Sequence, residues 1–428
     1  MASGANPTTY SRQAAAVMSY IEQHRTDLVG LLSELIQLRS VFPPGEYDAI
    51  AHRMRDEFRK SGARVELITA PRADIEPRGL TYPRPNVVAT VEGSAGGPVL
   101  LIGTHMDVVE AGERSEWTHD PFGGVVENGR VWGRGACDAK NAMAAQVFVA
   151  RALVDTGVRM RGTLLLIASV DDEGRFDLLK WPGMTYLAEQ GLREHGFPLP
   201  DMVINGEASG LASICGSFKG RLIMEIPVIG ETAHAATAYG INAIDKAVKL
   251  VEALRRIELK SHPLQGDETL NICAIRGAAD RYGDIPPVCH VGVEIRVVPP
   301  YGTDRILQEI NGAIARLAAD DPTFRTGEFT IFSNRQPIEF DAASPLVTAI
   351  HTSAALVGVD ARFAGILGTG ELQAFVAQGI PGVTYGGGFI GHVHKSNEYI
   401  EVDELVRQAQ IYALTALTLC GERGPESV

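Results

Sequence analysis

PVLLIGTHMDVV, Pro98 to Val109, decides how the rest of the chain is read. Four apolar residues, Val99 to Ile102, run through a glycine into His105, and Asp107 follows two positions later. An apolar run without alternation reads as a strand buried on both faces, as the strands of a parallel sheet are. The same signature recurs in NVVATVEG at 86–93, GTLLLIASV at 162–170 and DMVING at 201–206. Ahead of GTLLLIASV lies DAKNAMAAQVFVARALVDTG, 138–157, a helix pattern closed by Gly157. Strands alternating with helices predict the α/β class, with a mixed sheet and helices on both faces.

Upstream, Val17, Ile21, Leu28, Leu31, Leu32 and Leu35 give residues 10–39 the periodicity of one amphipathic helix, which the Pro/Gly break VFPPGEY ends. A second helix is expected over about 47–62, ending at Gly62. Downstream, the texture changes near residue 217. GRLIMEIPVIG reads as a strand, NAIDKAVKLVEALRRIEL as a helix, TLNICAIRGA and CHVGVEIRVVP as strands, TDRILQEINGAIARLAAD as a helix and GEFTIFS as a strand. That β-α-β-β-α-β order is the ferredoxin-like pattern. SPLVTAIHTSAALVG then restarts the α/β texture, and a last helix begins near Asp403. The expected division is a catalytic domain of 1–216 and 336–428, interrupted by a domain at 217–335.

Composition excludes several classes. The 428 residues carry a formal charge of −13, which argues against nucleic acid or an anionic membrane as a partner, because both need basic patches. Five scattered cysteines without CxxC spacing make neither a disulfide framework nor a cysteine zinc site. No apolar run approaches the ~18 residues of a membrane span. MASGANPTTYSRQ has neither the basic nor the apolar region of a signal peptide. The expectation is a cytoplasmic protein acting on a small molecule.

Five segments place histidines and carboxylates where strands give way to loops, the ligand-binding region of open α/β sheets. His105 and Asp107 share a strand face, so Asp107 can fix the ring of a metal-ligating His105 through its other nitrogen. In VWGRGACDAKNAMAA, Gly133 and Gly135 permit a tight turn, and Asp138 alone reads as the cap of the helix that follows. Asp171, Asp172 and Glu173 end an apolar strand, and adjacent carboxylates repel unless a cation or an arginine compensates them. Glu207 follows DMVING, while His392 and His394 lie in the glycine-rich GGGFIGHVHKSNEYI. Each alone reads equally as a turn, a cap or a surface loop. Together they form a mixed N/O donor set suited to one or two zinc, manganese or cobalt ions.

The ordered motifs HMDVV, WTHDPFGG, GRGACDAKNAMAA, DDEG, NGEAS and HKSNEYI, with GETAHAATAYGINAI in the inserted domain, resemble the acetylornithine deacetylase, succinyl-diaminopimelate desuccinylase, aminoacylase and glutamate carboxypeptidase family of metallohydrolases. The resemblance implies a zinc-peptidase-like catalytic domain with an inserted lid that makes a homodimer. It implies metal ligands His105, Asp138 as the bridge, Glu173, Glu207 and His394. HKSNE selects His394 over His392 through its spacing to Glu398. It further implies Asp107 as the acid orienting His105, Asp172 as general base, His234 as a lid histidine stabilising the oxyanion, and Arg296 as a lid arginine near a substrate carboxylate.

Departures from the family pattern gather around the substrate. The base is usually glutamate, and Asp172 sets its carboxylate about 1.5 Å further back on an unchanged backbone. Either the backbone compensates, or the substrate sits differently, or catalysis is weakened. Gly283 stands where many members have asparagine, and Gly370 followed by Glu371 replaces the usual aspartate after threonine. The implied activity is hydrolysis of a C–N amide bond in a small carboxylate-bearing substrate such as an N-acyl amino acid. The alternatives are an aminohydrolase releasing ammonia from an aromatic amine such as nitroanthranilate, and a non-catalytic metal-binding member.

Overall fold

The Val99–His105 strand sits at the centre of its sheet because nothing on it needs water, six of its seven residues being buried. In the computed structural model, which describes residues 7–94, 96–173, 182–237, 239–279, 281–366 and 370–422, the strands around it follow the order Arg64–Thr69, Pro85–Val91, Thr163–Ser169, Val99–His105, Met202–Asn205, Gly382–Thr384, Ser213–Phe218. Val99–His105 pairs in parallel with both neighbours, whereas Arg64–Thr69 and Pro85–Val91 run antiparallel at one side. The sheet is therefore mixed. Its register sets His105 beside Ser169 and Gly103 beside Asn205, so three strand ends open onto one place.

The helix Lys140–Asp155 is buried without a gap from Lys140 to Ala150, the mark of a helix enclosed on all sides. Val402–Cys420 is almost as fully buried. The N-terminal periodicity is realised as two helices, Pro7–Gln23 and Arg25–Gln37, rather than one. The break falls at His24, whose φ −100° and ψ 20° leave the helical region while its N–H still donates to the Tyr20 carbonyl at 3.1 Å. Asp48–Lys60 is the next helix, and the chain between them forms an isolated parallel bridge from Val41 to Val108.

The chain folds as two units, one of residues 1–216, 340–364 and 370–428 and a second of 217–339 and 365–369. Within the second, Gly220–Ile229, Thr269–Gly277, Val288–Val297 and Thr330–Arg335 form an antiparallel sheet with Gly220–Ile229 and Val288–Val297 at its centre. With helices Ala243–Leu254 and Thr303–Asp320, this is the ferredoxin-like arrangement. Alternation along the two central strands buries Leu222, Met224, Ile226, Val291, Val293 and Ile295 against Ala247, Leu250, Leu254, Ile306 and Ile310. Each such side chain contributes roughly 1.5–3 kcal/mol on burial.

All five cysteines are free, so no disulfide supports either unit. Among the described residues no helix is long and apolar enough to cross a membrane.

Candidate metal centre

The strand ends deliver the donors. His105 closes its strand with the ring fully buried. Its Nε2 lies 3.1 Å from Glu207 Oε1 and 3.4 Å from Asp138 Oδ1. The other oxygen of Asp138, Oδ2, lies 3.2 Å from His394 Nε2, which is also 2.8 Å from Glu173 Oε1. One carboxylate thus faces a different histidine with each oxygen, and each histidine faces one further glutamate. His105, Asp138 and Glu173 bring donor atoms within 4.8 Å of one another, as do His105, Asp172 and Glu207.

Asp138 is not the helix cap that its position suggests. Ala139 occupies the cap of Lys140–Asp155 without any side-chain cap bond. The preceding turn frees the Asp138 carboxylate, and Gly133 and Gly135 make that turn at φ 148° and 88°. A Cβ there would lie 2.5 Å from Ile36 Cγ2 or 2.9 Å from Val108 Cγ1, so only glycine fits. The amides of Cys137 and Asp138 donate to Glu398 Oε1 at 2.9 and 3.2 Å. Arg134 NH1 reaches the other oxygen of Glu398 at 2.7 Å.

Asp107 does something other than the sequence implies. The His105 Nδ1 is held by the main-chain carbonyl of Asp107 at 2.9 Å, while the Asp107 carboxylate stands 3.6 Å away. That carboxylate instead accepts the backbone N–H groups of Asp172 and Glu173, at 3.2 and 2.8 Å. The repulsion expected among the three neighbouring acids is relieved for Asp171 by an arginine: Arg84 Nε lies 2.7 Å from Asp171 Oδ2, both side chains being fully buried.

Of the two loop histidines, His394 enters the cluster. It adopts φ 63°, a left-handed conformation that a residue with a Cβ takes at a cost of roughly 1–2 kcal/mol. His392 packs against Phe389 and Tyr399. Glu371, half-buried, accepts the Ser169 hydroxyl at 2.6 Å, and a Cβ on Gly370 would lie 3.2 Å from Asn205 Nδ2. His234 and Gly283 belong to the second unit and are neighbours there: His234 forms a main-chain bridge with Asp284, and Ala235 N–H donates to the Gly283 carbonyl. Arg296 is paired with Glu294 at 2.8 Å, which it shares with Arg221.

Burial and close charges shift the donors of the cluster. Burial lifts the Glu173 carboxyl to about 8, with Asp138 adding to the rise. Burial likewise lifts Glu207 to about 7. Hydrogen bonds to Asp138 and Glu173 raise His394 to about 10. Burial pulls the His105 ring down, but Glu207 and Asp138 more than reverse it. Burial opposes the charge of Asp138, yet the two histidines hold its carboxyl well below the usual range. His105 Nε2 and Glu207 Oε1 are buried without a hydrogen-bond partner. Two histidines and three carboxylates of this kind fit a pair of divalent ions.

Several neighbours escaped sequence reading. Arg84, Tyr47, Arg134 and Ser169 carry no spacing signal, and only proline on both sides of Arg84 marks a rigid position.

Residues 101–418 match the model described as Peptidase family M20/M25/M40. The N-formyl-4-amino-5-aminomethyl-2-methylpyrimidine deformylase of Bacillus subtilis is 25% identical over 436 residues, covering 96% of this chain and 99% of the relative. A probable succinyl-diaminopimelate desuccinylase of Staphylococcus aureus is 24% identical, covering 92% and 98%. The crystal structure of aminopeptidase PepT from Bacillus cereus superposes with a TM-score of 0.72 at 19% identity, covering 92% and 98%.

Proposed function

The chain belongs to peptidase family M20/M25/M40 and is a metal-dependent hydrolase of amide bonds, and we propose that its substrate is a small N-acylated amine, such as an N-acyl amino acid or an N-formyl or N-succinyl amine. The observation that supports the metal chemistry of this reading is Asp138, whose two oxygens face His105 and His394 at 3.4 and 3.2 Å. The names of the relatives supply the acyl groups.

His105, Asp138 and Glu207 would hold one divalent ion, and His394, Glu173 and the same Asp138 the other. Such a pair, when bound, polarises a carbonyl and makes water a stronger acid. Asp172 is the base in this reading. Its donor atom lies within 4.8 Å of those of His105 and Glu207, and the Asp107 carboxylate holds its main-chain N–H. It takes a proton from the attacking water and returns it to the leaving nitrogen. His234 supplies an N–H to the developing oxyanion. Arg296 or Glu371 orients the polar end of the substrate, with Gly283 and Gly370 leaving it room. A cytoplasmic homodimer joined through the second unit belongs to the same reading.

The test is product detection with purified protein, stripped by chelation and reloaded with zinc, manganese or cobalt. The panel holds N-formyl and N-succinyl amines, N-acyl amino acids, dipeptides and amino-substituted benzoates. Release of a free amine from an acylated one, restored by metal, supports the proposal. Ammonia from an aminobenzoate, with every amide intact, refutes it in favour of an aminohydrolase. Light scattering reads the oligomeric state.

A further inference from the structure

We propose that Arg84 and Tyr47 are positioning residues that act through Asp171 to set the turn bearing Asp172 and Glu173. Arg84 stands between Pro83 and Pro85, at the start of a strand, with no part of it in solvent. Its Nε lies 2.7 Å from Asp171 Oδ2, a close ion pair off the line of a well-aligned hydrogen bond. The other carboxylate oxygen accepts the Tyr47 hydroxyl at 2.5 Å. Arg84 is fixed in turn by VFPPGEY: NH1 donates to the Gly45 carbonyl, NH2 to that of Pro44 at 3.1 Å. Its guanidinium carbon stands 5.2 Å from the centre of the Tyr47 ring and 5.7 Å from that of Phe42.

This hold acts on a backbone that needs one. Asp171 adopts φ 64°, which a residue with a Cβ avoids unless its surroundings impose it. Immediately after it, the amides of Asp172 and Glu173 are taken by Asp107. The turn is thus pinned at three consecutive residues, from the Arg84 side through a side chain and from the Asp107 side through the main chain. Glu173 then meets His394 at 2.8 Å. A buried ion pair gives little stability beyond what an apolar pair of equal volume supplies. An apolar pair has no means of fixing two oxygens in direction. Misplacement by about 1 Å at a reacting group costs up to ~10²-fold in rate.

Four variants test this: Y47F removes one donor, R84K keeps the charge but loses the fork, R84M strands the Asp171 carboxylate, and R84M/D171N removes both charges so that neither is stranded. Each is stripped of metal and titrated with Co²⁺, whose visible absorption reports the geometry of its donors without any substrate. Thermal unfolding of the stripped proteins, and kcat and KM on whichever N-acyl amine the wild type cleaves, complete the set. Expected is a double variant that unfolds near the wild-type temperature and binds as much cobalt. Its cobalt spectrum is altered, its kcat is lower by about 10- to 100-fold, and its KM changes less than about threefold. R84K should recover part of the kcat that R84M alone loses. A folded double variant with the wild-type cobalt spectrum and kcat overturns the proposal. Should the double variant fail to fold, wild-type spectra in both Y47F and R84K overturn it, and altered spectra support it. If the wild type cleaves nothing on the panel, the function proposed above fails, and the cobalt spectra still decide this one.

Discussion

Glu398→Gln is the substitution whose consequence the structure fixes most closely. Glu398 is fully buried and serves three donors: Cys137 N–H, Asp138 N–H and Arg134 NH1. A glutamine keeps the two main-chain bonds through its carbonyl but turns an N–H₂ group toward the guanidinium. Arg134, 2% exposed, is then a buried cation without its anion. Two charges about 4 Å apart interact by ~4 kcal/mol at an effective dielectric of about 20, and breaking a buried pair costs roughly 3–5 kcal/mol. Arg134 retains the carbonyls of Glu110, His394 and Lys395 at 3.3 Å and the Trp117 ring face. These place the loss at the low end, about 3 kcal/mol, or a fall in Tm of roughly 3–5 °C for a unit of this size. Scanning calorimetry of the metal-loaded protein reads the fall. R134M/E398Q should lose less than the two single variants together, by more than ~1 kcal/mol. A Tm within about 1 °C of wild type, or strict additivity, refutes the pair as the anchor of the Asp138 turn. Cobalt titration of E398Q should also show affinity weakened roughly 10-fold or more, because Arg134 touches the carbonyl of His394 as well.

The remaining expectations follow from the same geometry. Asp172→Asn should lower kcat by about 10²–10⁴-fold while leaving the bound metal in place, checked by steady-state kinetics with elemental analysis; wild-type kcat would move the base elsewhere. Glu173 and Glu207, lifted from the ordinary 4.5 to about 8 and about 7, hold protons near neutral pH in the stripped protein and must lose them to bind metal. Because His394, raised to about 10, must give up its proton as well, loading should release more than two protons near pH 7, against about half a proton for two unperturbed histidines, read by calorimetry in buffers of different ionisation enthalpy. Because both carboxyls are raised on folding, they stabilise the stripped protein fully below about 4.5. That contribution is lost as the pH rises through 7 to 8, so the Tm of the stripped protein should fall across this window. Asn242→Ala removes a cap that accepts Ile244 N–H at 2.9 Å and Asp245 N–H at 3.4 Å. Chemical denaturation should show a loss of about 1 kcal/mol with unchanged metal binding.

Much of the candidate site was legible because its donors sit next to strand ends that the sequence marks plainly. A strand buried on both faces must be apolar, so the polar residue that ends it stands out, as His105, Asp171 and Glu207 do. Which donors meet was not legible. HVH by itself does not distinguish His392 from His394, and only the resemblance, through the spacing of HKSNE to Glu398, pointed to His394; the fold makes the choice by putting His394 into a left-handed conformation and stacking His392 on Tyr399. The period-two spacing of His105 and Asp107 correctly put the two residues together but assigned the wrong atom, since a main-chain carbonyl has no sequence signature. The single helix expected over 10–39 became two because hydrophobic periodicity does not register the dihedral angles of one residue, His24, that leaves the helical region.

The α/β class, the β-α-β-β-α-β insertion and the residues rich in donor atoms are legible in the order of residues, because apolar period and residue chemistry are local properties. It takes the folded chain to show that Asp138 turns one oxygen to each histidine, that Asp107 pins the turn of Asp172 and Glu173, and that Arg84 answers Asp171 across 87 positions of chain. Those are meetings between residues far apart in sequence. They are set by the sheet register and by burial, which leaves a charged group no solvent to turn to and so obliges it to find a partner in the fold.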